Sequence, residues 1–309
     1  MTGRLALILV TGARGFIGRH VCSALSTHGN DVIALDRRAP DALAGAPPYP
    51  VLECDIRDRD QIEQVFERHS LAGVVHLASL LNTASRENTL DATQVNVVGS
   101  LNLLEAARRF HVPKLIYGSS ISVYGSKNER SQAGVSETEP AAPEDVYGAA
   151  KRYVEIVGET YRQRFGVQFV ALRISSVLGP GALNTSSPWR SEIFEKMGLP
   201  YSSEVTFPYS SDQALPLVHV EDVADMIVRL VDARQISFTL YNTPSETWAL
   251  DDLAVYIASL DSNLQISFGQ SIVSGIPAMI DGQRFVTEFK YTPVSMRERL
   301  RRAAKSRKR

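Results

Sequence analysis

Apolar and polar positions along the first 175 residues switch repeatedly between two rhythms. Residues 5–10 form an unbroken apolar run that Thr11 and Gly12 close. Residues 17–28 then carry apolar side chains at helical spacing, 31–35 are apolar again and end at Asp36, and 51–53 form a short run. The exchange repeats along the chain. Residues 61–69 read as helix, 73–76 as strand, and 91–110 as a long helix with Val95, Val98, Leu101, Leu104 and Ala107 along one stripe. Residues 114–117 read as strand, 145–165 as a second long helix and 168–173 as strand. Strands that are apolar throughout are covered on both faces, so the pattern predicts an α/β fold built on a doubly wound parallel sheet. Binding residues are then expected just past the strands' carboxyl ends.

Beyond Arg173 the texture changes. Gly179-Pro180-Gly181, Pro188, Pro200 and Pro208 punctuate a stretch rich in Ser and Tyr, which predicts loops and a short helix at 189–197. Strands are expected at 217–220 and 237–241 with a helix at 221–231 between them, and helices near 250–260 and 294–304. The expected division is one unit at 1–175, with 216–242 returning to it, and a smaller lobe at 176–215 and 243–309.

The 309 residues are 44% hydrophobic and 22% charged, which excludes a largely disordered chain and suffices for a core without disulfide or metal staples. No apolar run approaches the roughly 20 residues of a membrane span. The first apolar run lacks a cleavage-type site and enters a glycine turn, so a strand is expected there rather than a leader. With 33 Lys+Arg against 34 Asp+Glu, the net charge of −1 gives no footprint for nucleic acid or membrane. The basic stretch 297–309 fits a helix end whose cations suit the dipole. Cys22 and Cys54 lack metal-type spacing and are expected as buried thiols in a reducing, cytoplasmic compartment, with no metal site.

Val10-Thr11-Gly12-Ala13-Arg14-Gly15-Phe16-Ile17-Gly18 follows the first strand and opens a helix. Gly12 permits a tight turn, Gly15 lets backbone approach a pyrophosphate, and Gly18 lets helix pack on strand. The helix start offers free N–H groups to the anion. Asp36, 18 residues past Gly18, ends the next strand where a carboxylate takes both ribose hydroxyls. This is a Rossmann-type dinucleotide turn. Asp36 favours NAD by repelling a 2′-phosphate; Arg14, Arg37 and Arg38 offer cations nearby and leave NADP open.

Tyr147 and Lys151 sit one turn apart on the second long helix, on one face. An ammonium beside a phenol favours the phenolate, which predicts a lowered tyrosine pKa and general acid/base work on a hydroxyl or carbonyl. Gly118-Ser119-Ser120-Ile121-Ser122-Val123-Tyr124-Gly125 places hydroxyls at the sheet's carboxyl edge, one of them able to hold the reacting oxygen.

In order, the chain carries the turn at Thr11–Gly18, Asp36, Asp55-Ile56, His76-Leu77-Ala78-Ser79, Asn96-Val97-Val98-Gly99-Ser100, the serine segment ending at Gly125, Tyr147 to Lys151, Leu172-Arg173 leading to Gly179-Pro180-Gly181, and Val218 to Ala224. These motifs, spread from about Leu5 to Asp225, resemble the extended short-chain dehydrogenase/reductase superfamily, in its NAD-dependent epimerase/dehydratase group typified by UDP-galactose 4-epimerases. The resemblance implies that Ser120 orients the substrate, that Tyr147 is the general base/acid, and that Lys151 holds the nicotinamide ribose. It implies that Asp55 and Ile56 contact adenine, that Leu77, Ala78 and Ser79 line the cofactor cleft, and that Asn96 supports the helix and holds a relay water. His76 and His219 are expected to be structural. The two long helices are expected to pair in a four-helix homodimer.

Departures from the family pattern bear on substrate. Ser120-Ile121-Ser122 replaces the Thr-Asp-Glu of sugar dehydratases, Ser176 stands for the usual Asn, and Leu215-Pro216-Leu217 stands where epimerases carry an Arg for the diphosphate. Arg190 and Arg284 are the candidate replacements, and Ser120, Ser122, Tyr147, Ser176 and Arg190 form the expected substrate set. The resulting expectation is an NAD-dependent enzyme moving hydride at a carbinol carbon of a sugar or sugar-acid-like small molecule, as dehydrogenase or epimerase. A nucleotide-sugar 4-epimerase is the alternative, and a non-catalytic NAD-sensing protein the remaining one; intact Ser120, Tyr147 and Lys151 count against the last.

Overall fold

The computed structural model describes residues 6–37, 47–126, 134–182 and 187–306; Arg38 lies outside them. The chain runs β1 (Leu7–Thr11), α1 (Phe16–Thr27), β2 (Asp31–Asp36), β3 (Val51–Glu53), α2 (Arg59–Arg68) and β4 (Gly73–His76). Helices α3 (Asn82–Glu87) and α4 (Thr89–Thr93) lead through a π-helical stretch, Gln94–Gly99, into α5 (Ser100–Arg109). Next come β5 (Lys114–Ser120), α6 (Val146–Phe165), β6 (Gln168–Ile174), β7 (Ser176–Leu178), α7 (Trp189–Lys196) and β8 (Ser203–Tyr209). The chain continues through β9 (Ala214–His219), α8 (Val220–Asp232), β10 (Leu240–Asn242) and β11 (Glu246–Ala249). It closes with α9 (Leu250–Leu260), β12 (Leu264–Ser271), α10 (Gln283–Phe289) and α11 (Met296–Ser306).

Seven parallel strands form the main sheet in the order β3-β2-β1-β4-β5-β6-β10. The winding reverses at β1, which lies between β2 and β4, so a crevice opens past its carboxyl end. One face buries Val21, Leu25, Met226 and Ile227 from α1 and α8; the other buries Ile62, Phe66, Leu103, Leu104 and Val154 from α2, α5 and α6. Both faces are covered, which is why the strands read as uninterrupted apolar runs.

A separate core joins α7, β8, α9 and α11 through Trp189, Ile193, Phe207, Leu253 and Leu300. Of the two strands expected within 216–242, β10 adds to the main sheet beside β6, whereas β9 pairs with β7 and β11 in a three-stranded sheet. The stretch expected as loop around Pro208 contains β8, which pairs in parallel with β12. The long helix expected at 91–110 is interrupted by the π-helical stretch, and β5 runs past Tyr117 to Ser120.

Candidate active site

The glycine turn is shaped as a dinucleotide requires. Gly12 has φ +66°, and a Cβ there would lie 2.6 Å from the Ala78 nitrogen. A Cβ on Gly18 would lie 2.1 Å from the Gly12 carbonyl oxygen. Gly15 is exposed at the helix start and no side chain caps α1, so its first N–H groups face outward past Phe16 and Ile17. Asp36 Oδ2 accepts from the Arg14 backbone N–H at 3.0 Å, which holds the carboxylate beside the turn. Arg37 is exposed. These features fit a dinucleotide: close-approach glycines, an uncapped helix start and an acid to bind the ribose.

Register brings the other motifs to the same edge. Thr11 pairs with His76, His76 with Tyr117, and Ser120 with Ile174. Leu77, Ala78 and Ser79 are half-buried beside Gly12, with the Leu77 N–H bonded to the Thr11 carbonyl. Asn96, buried in the π-helical stretch, fastens this segment: its Oδ1 accepts from the Leu80 N–H (2.8 Å) and Ser79 Oγ (3.0 Å), and its Nδ2 donates to the Leu80 carbonyl (2.9 Å). Ile56 is buried against Gly99. The Asp55 carboxylate is gripped by Arg57 (2.6 Å), whose hydrogen bonds hold its pKa below the usual range. An adenine there would meet a carboxylate already paired.

His76 is fully enclosed. Ser100 Oγ donates to the Asn96 carbonyl at 2.7 Å, so it accepts from His76 Nε2–H at 2.9 Å, and Nδ1 accepts from Thr11 Oγ1 at 2.7 Å. Burial pulls the pKa of His76 down to about 3, and that of His219, whose Nδ1 caps α8, likewise to about 3. Both rings are neutral polar fittings, not proton carriers at physiological pH.

Asp145 caps α6 through the Gly148 N–H at 2.7 Å, and the helix then presents Tyr147, Lys151 and Glu155 at four-residue intervals. The Tyr147 phenol is hydrogen-bonded to Ser120, and Ser120 Oγ donates to Ser122 Oγ at 3.1 Å. Lys151 Nζ donates to the Gly118 carbonyl at 2.7 Å and lies 5.5 Å from the Tyr147 ring centre. The expected lowering of the tyrosine pKa is not what this geometry gives. Burial pushes Tyr147 up to about 12, with the Ser120 bond opposing it, while burial pulls Lys151 down to about 7. Desolvation outweighs the neighbouring amine, which is itself held by a carbonyl.

Sequence reasoning missed the group that anchors this helix. Glu155 accepts from Arg173 Nε (2.8 Å) and Nη2 (2.7 Å) and from Ser119 Oγ (2.7 Å), while Arg173 Nη1 donates to the Tyr124 hydroxyl (2.7 Å). The signal was a carboxylate one turn beyond Lys151 on the same face. In the second lobe, Ser176 is buried on β7 and Arg190 is half-buried on α7. Arg284 bonds the Leu240 carbonyl (2.9 Å) and pairs with Glu137 (3.4 Å), so it is committed to structure. A cavity of about 230 Å³ beneath β9 and α8 includes none of the expected catalytic or cofactor residues; its Asp222 is paired with Arg299.

Cys22 and Cys54 are buried free thiols whose pKa values burial pushes up to about 12. Among the described residues there is no cluster of metal-ligating side chains, and no helix is long and apolar enough to cross a membrane.

A phenol, a hydroxyl and a buried amine beside a dinucleotide turn serve the short-chain dehydrogenase/reductases, and the lobe beyond β6 marks their extended form. Residues 8–242 match the NAD dependent epimerase/dehydratase family, and the chain belongs to that family. It is accordingly an NAD-dependent enzyme of the extended type. A Methanocaldococcus jannaschii protein proposed to be a UDP-glucose 4-epimerase is 32% identical over 221 residues, 71% of each chain. The UDP-glucose 4-epimerase of Lacticaseibacillus casei is 33% identical over 179 residues, 56% of this chain; the match spans about half, 52%, of that enzyme. In structure, the L-threonine dehydrogenase of Phytophthora infestans superposes with a TM-score of 0.86 at 25% identity, covering 97% of this chain and 98% of that one.

Proposed function

We propose that the protein oxidises and reduces a carbinol carbon of a sugar or sugar-acid-like substrate, with Ser120, Tyr147 and Lys151 as its catalytic residues. The observation that carries this is the hydrogen bond between the Ser120 and Tyr147 hydroxyls, with Lys151 one turn along. Gly12, Arg14, Gly15, Phe16, Ile17, Gly18, Asp36, Arg37, Asp55, Ile56, Leu77, Ala78, Ser79 and Asn96 are the proposed cofactor residues, with Tyr147 and Lys151 at the reacting end. When bound, oxidised NAD supplies a hydride acceptor and a positive charge. Ser120 fixes the substrate oxygen, and Tyr147 exchanges a proton with it. A phenol held near 12 is an acid, ready to protonate a ketone; acting as base, it needs the added positive charge to release its proton.

Residues 1–175 with 216–242 are proposed as the dinucleotide half, and 176–215 with 243–309 as the substrate lobe. UDP-sugar 4-epimerisation is the second reading, favoured by the names of the relatives. Tyr147→Phe is expected to cut turnover by about 10²–10⁴-fold while NAD affinity, measured by titration, changes little. Undiminished turnover removes the mechanism. Steady NADH accumulation on a substrate panel indicates a dehydrogenase; retained NAD without net NADH indicates an epimerase. Exposed Leu90, Tyr153 and Ile156 on α4 and α6 support a homodimer through paired helices, which light scattering at micromolar concentration checks. The buried free thiols support a reducing, cytoplasmic setting.

A further inference from the structure

Arg190 opens α7 in the second lobe, and its Nε is buried with no hydrogen-bond partner. Among the described residues no carboxylate is paired with it, and its one hydrogen-bonding side-chain neighbour among them is the Tyr209 phenol at the end of β8. Trp189, the preceding residue, is 2% exposed, and its indole Nε1 is also buried without a partner. The guanidinium carbon lies 5.6 Å from the Trp189 ring centre, so the two unsatisfied donors share one neighbourhood. Buried polar groups are nearly always satisfied. Two adjacent orphans that are both donors call for an acceptor-rich group, and one of them is a cation.

The surrounding backbone is held in place. The Gly179 N–H donates to the Arg190 carbonyl (3.2 Å), the Ala182 N–H to Ser191 Oγ (2.9 Å), and Arg19 bonds the Gly181 carbonyl. Gly179 stands five residues past Ile174, the register partner of Ser120, and five residues span at most about 17 Å. That length is an upper limit on the separation between Gly179 and the strand end that faces Ser120.

We propose that Arg190, with Trp189 and Tyr209, is an oxyanion subsite, and that the substrate carries a carboxylate or phosphate held there. This rests on the reading of Ser120, Tyr147 and Lys151 as the hydride-transfer end. The guanidinium fork suits either oxyanion through paired hydrogen bonds. With Leu215-Pro216-Leu217 offering no cation on β9, Arg190 carries the charge recognition from α7 instead.

The test is calorimetric titration of wild type, Arg190→Met and Arg190→Lys with UDP as the phosphate arm, and with D-glucuronate and L-threonine as the carboxylate arm. Each titration is run with and without NAD, so a first lobe that fails to take the dinucleotide is recognised separately. Wild type is expected to bind in one arm, and that arm names the oxyanion. Arg190→Met is expected to weaken binding ten- to hundredfold, the scale of a lost charge-assisted hydrogen bond. Arg190→Lys is expected to recover part of it as a point charge without the fork. NAD affinity should match wild type in both variants, and neither should unfold at a lower temperature than wild type by more than about a degree or two. Equal affinity in Arg190→Met, or no binding by wild type in either arm, overturns the proposal.

Discussion

Arg173 lies on β6 of the main sheet and Arg190 on α7, which packs in the separate core, and the protein treats their charges in opposite ways. Arg173 is 1% exposed, forks onto Glu155 and bonds Tyr124; burial works against its charge, yet those bonds outweigh it and raise its pKa. Arg190 has a buried Nε with no partner, and burial, only partly offset by Tyr209, lowers its pKa. Lys151 falls between them, buried with one carbonyl as hydrogen-bond acceptor and the Tyr117 ring 4.7 Å away. A saturated buried charge fixes geometry, here the register of α6, whose face carries Tyr147 and Lys151. An unsaturated one has no structural return for its desolvation, so its reason must come from outside the chain.

The largest effect should come from breaking the saturated pair. Glu155→Gln is expected to destabilise the protein by about 3–5 kcal/mol, because it leaves the Arg173 charge buried without its counter-ion, and Arg173→Met by somewhat less, because Arg152 still faces Glu155 at 3.1 Å. Urea unfolding measures it. The double variant Arg173→Met/Glu155→Met should recover much of the loss. If Arg173→Met costs no more than Arg190→Met, the contrast between the two arginines is gone.

The middle case titrates. Lys151 has its pKa pulled from 10.5 to about 7 by burial. Between pH 7 and 10.5 the unfolded chain therefore holds a proton that the native state has released, so unfolding takes up a proton and stability rises with pH in that window. Below pH 7 both states are protonated and this gain is absent. The slope for one proton is about 1.4 kcal/mol per pH unit. In the cofactor-free protein, urea unfolding at pH 7 and 8.5 should show a rise in wild type that Lys151→Met flattens by about 2 kcal/mol. Equal slopes in the two proteins mean that the native amine stays charged and is better satisfied than a single carbonyl implies.

The same contrast explains what the sequence disclosed. In the first half, strands buried on both faces are apolar runs, Gly12 and Gly18 stand where a Cβ collides with backbone, and Asp36 closes β2. Such features are local and can be read in single file. β8 escaped because its buried positions, Val205 and Phe207, alternate with exposed ones beside Pro208, and because its partner β12 begins some sixty residues later. Pairing at that separation leaves no local mark. The π-helical stretch escaped for a different reason: an apolar stripe does not show where a helix widens to aim Asn96 at Leu80. Arg190 was picked out only as a cation in place of a missing one, and its lack of a partner is visible only once the fold has surrounded it.

The smallest effect is the most discriminating. Arg190→Met removes a buried Nε–H that has no acceptor, together with the hydrogen bond to Tyr209, and puts an apolar chain of similar length beside Trp189. An unsatisfied buried polar group is itself a cost, and an apolar replacement of like shape is neutral or favourable. Stability should therefore stay within about 0.5 kcal/mol of wild type or rise by up to about 1 kcal/mol, read from the urea midpoint at pH 7. Oxyanion affinity should fall in the same variant. A residue that the fold would be better off without, and that the ligand needs, belongs to the site. A loss of several kcal/mol in Arg190→Met would instead make it a second Arg173, holding a partner of its own within the fold.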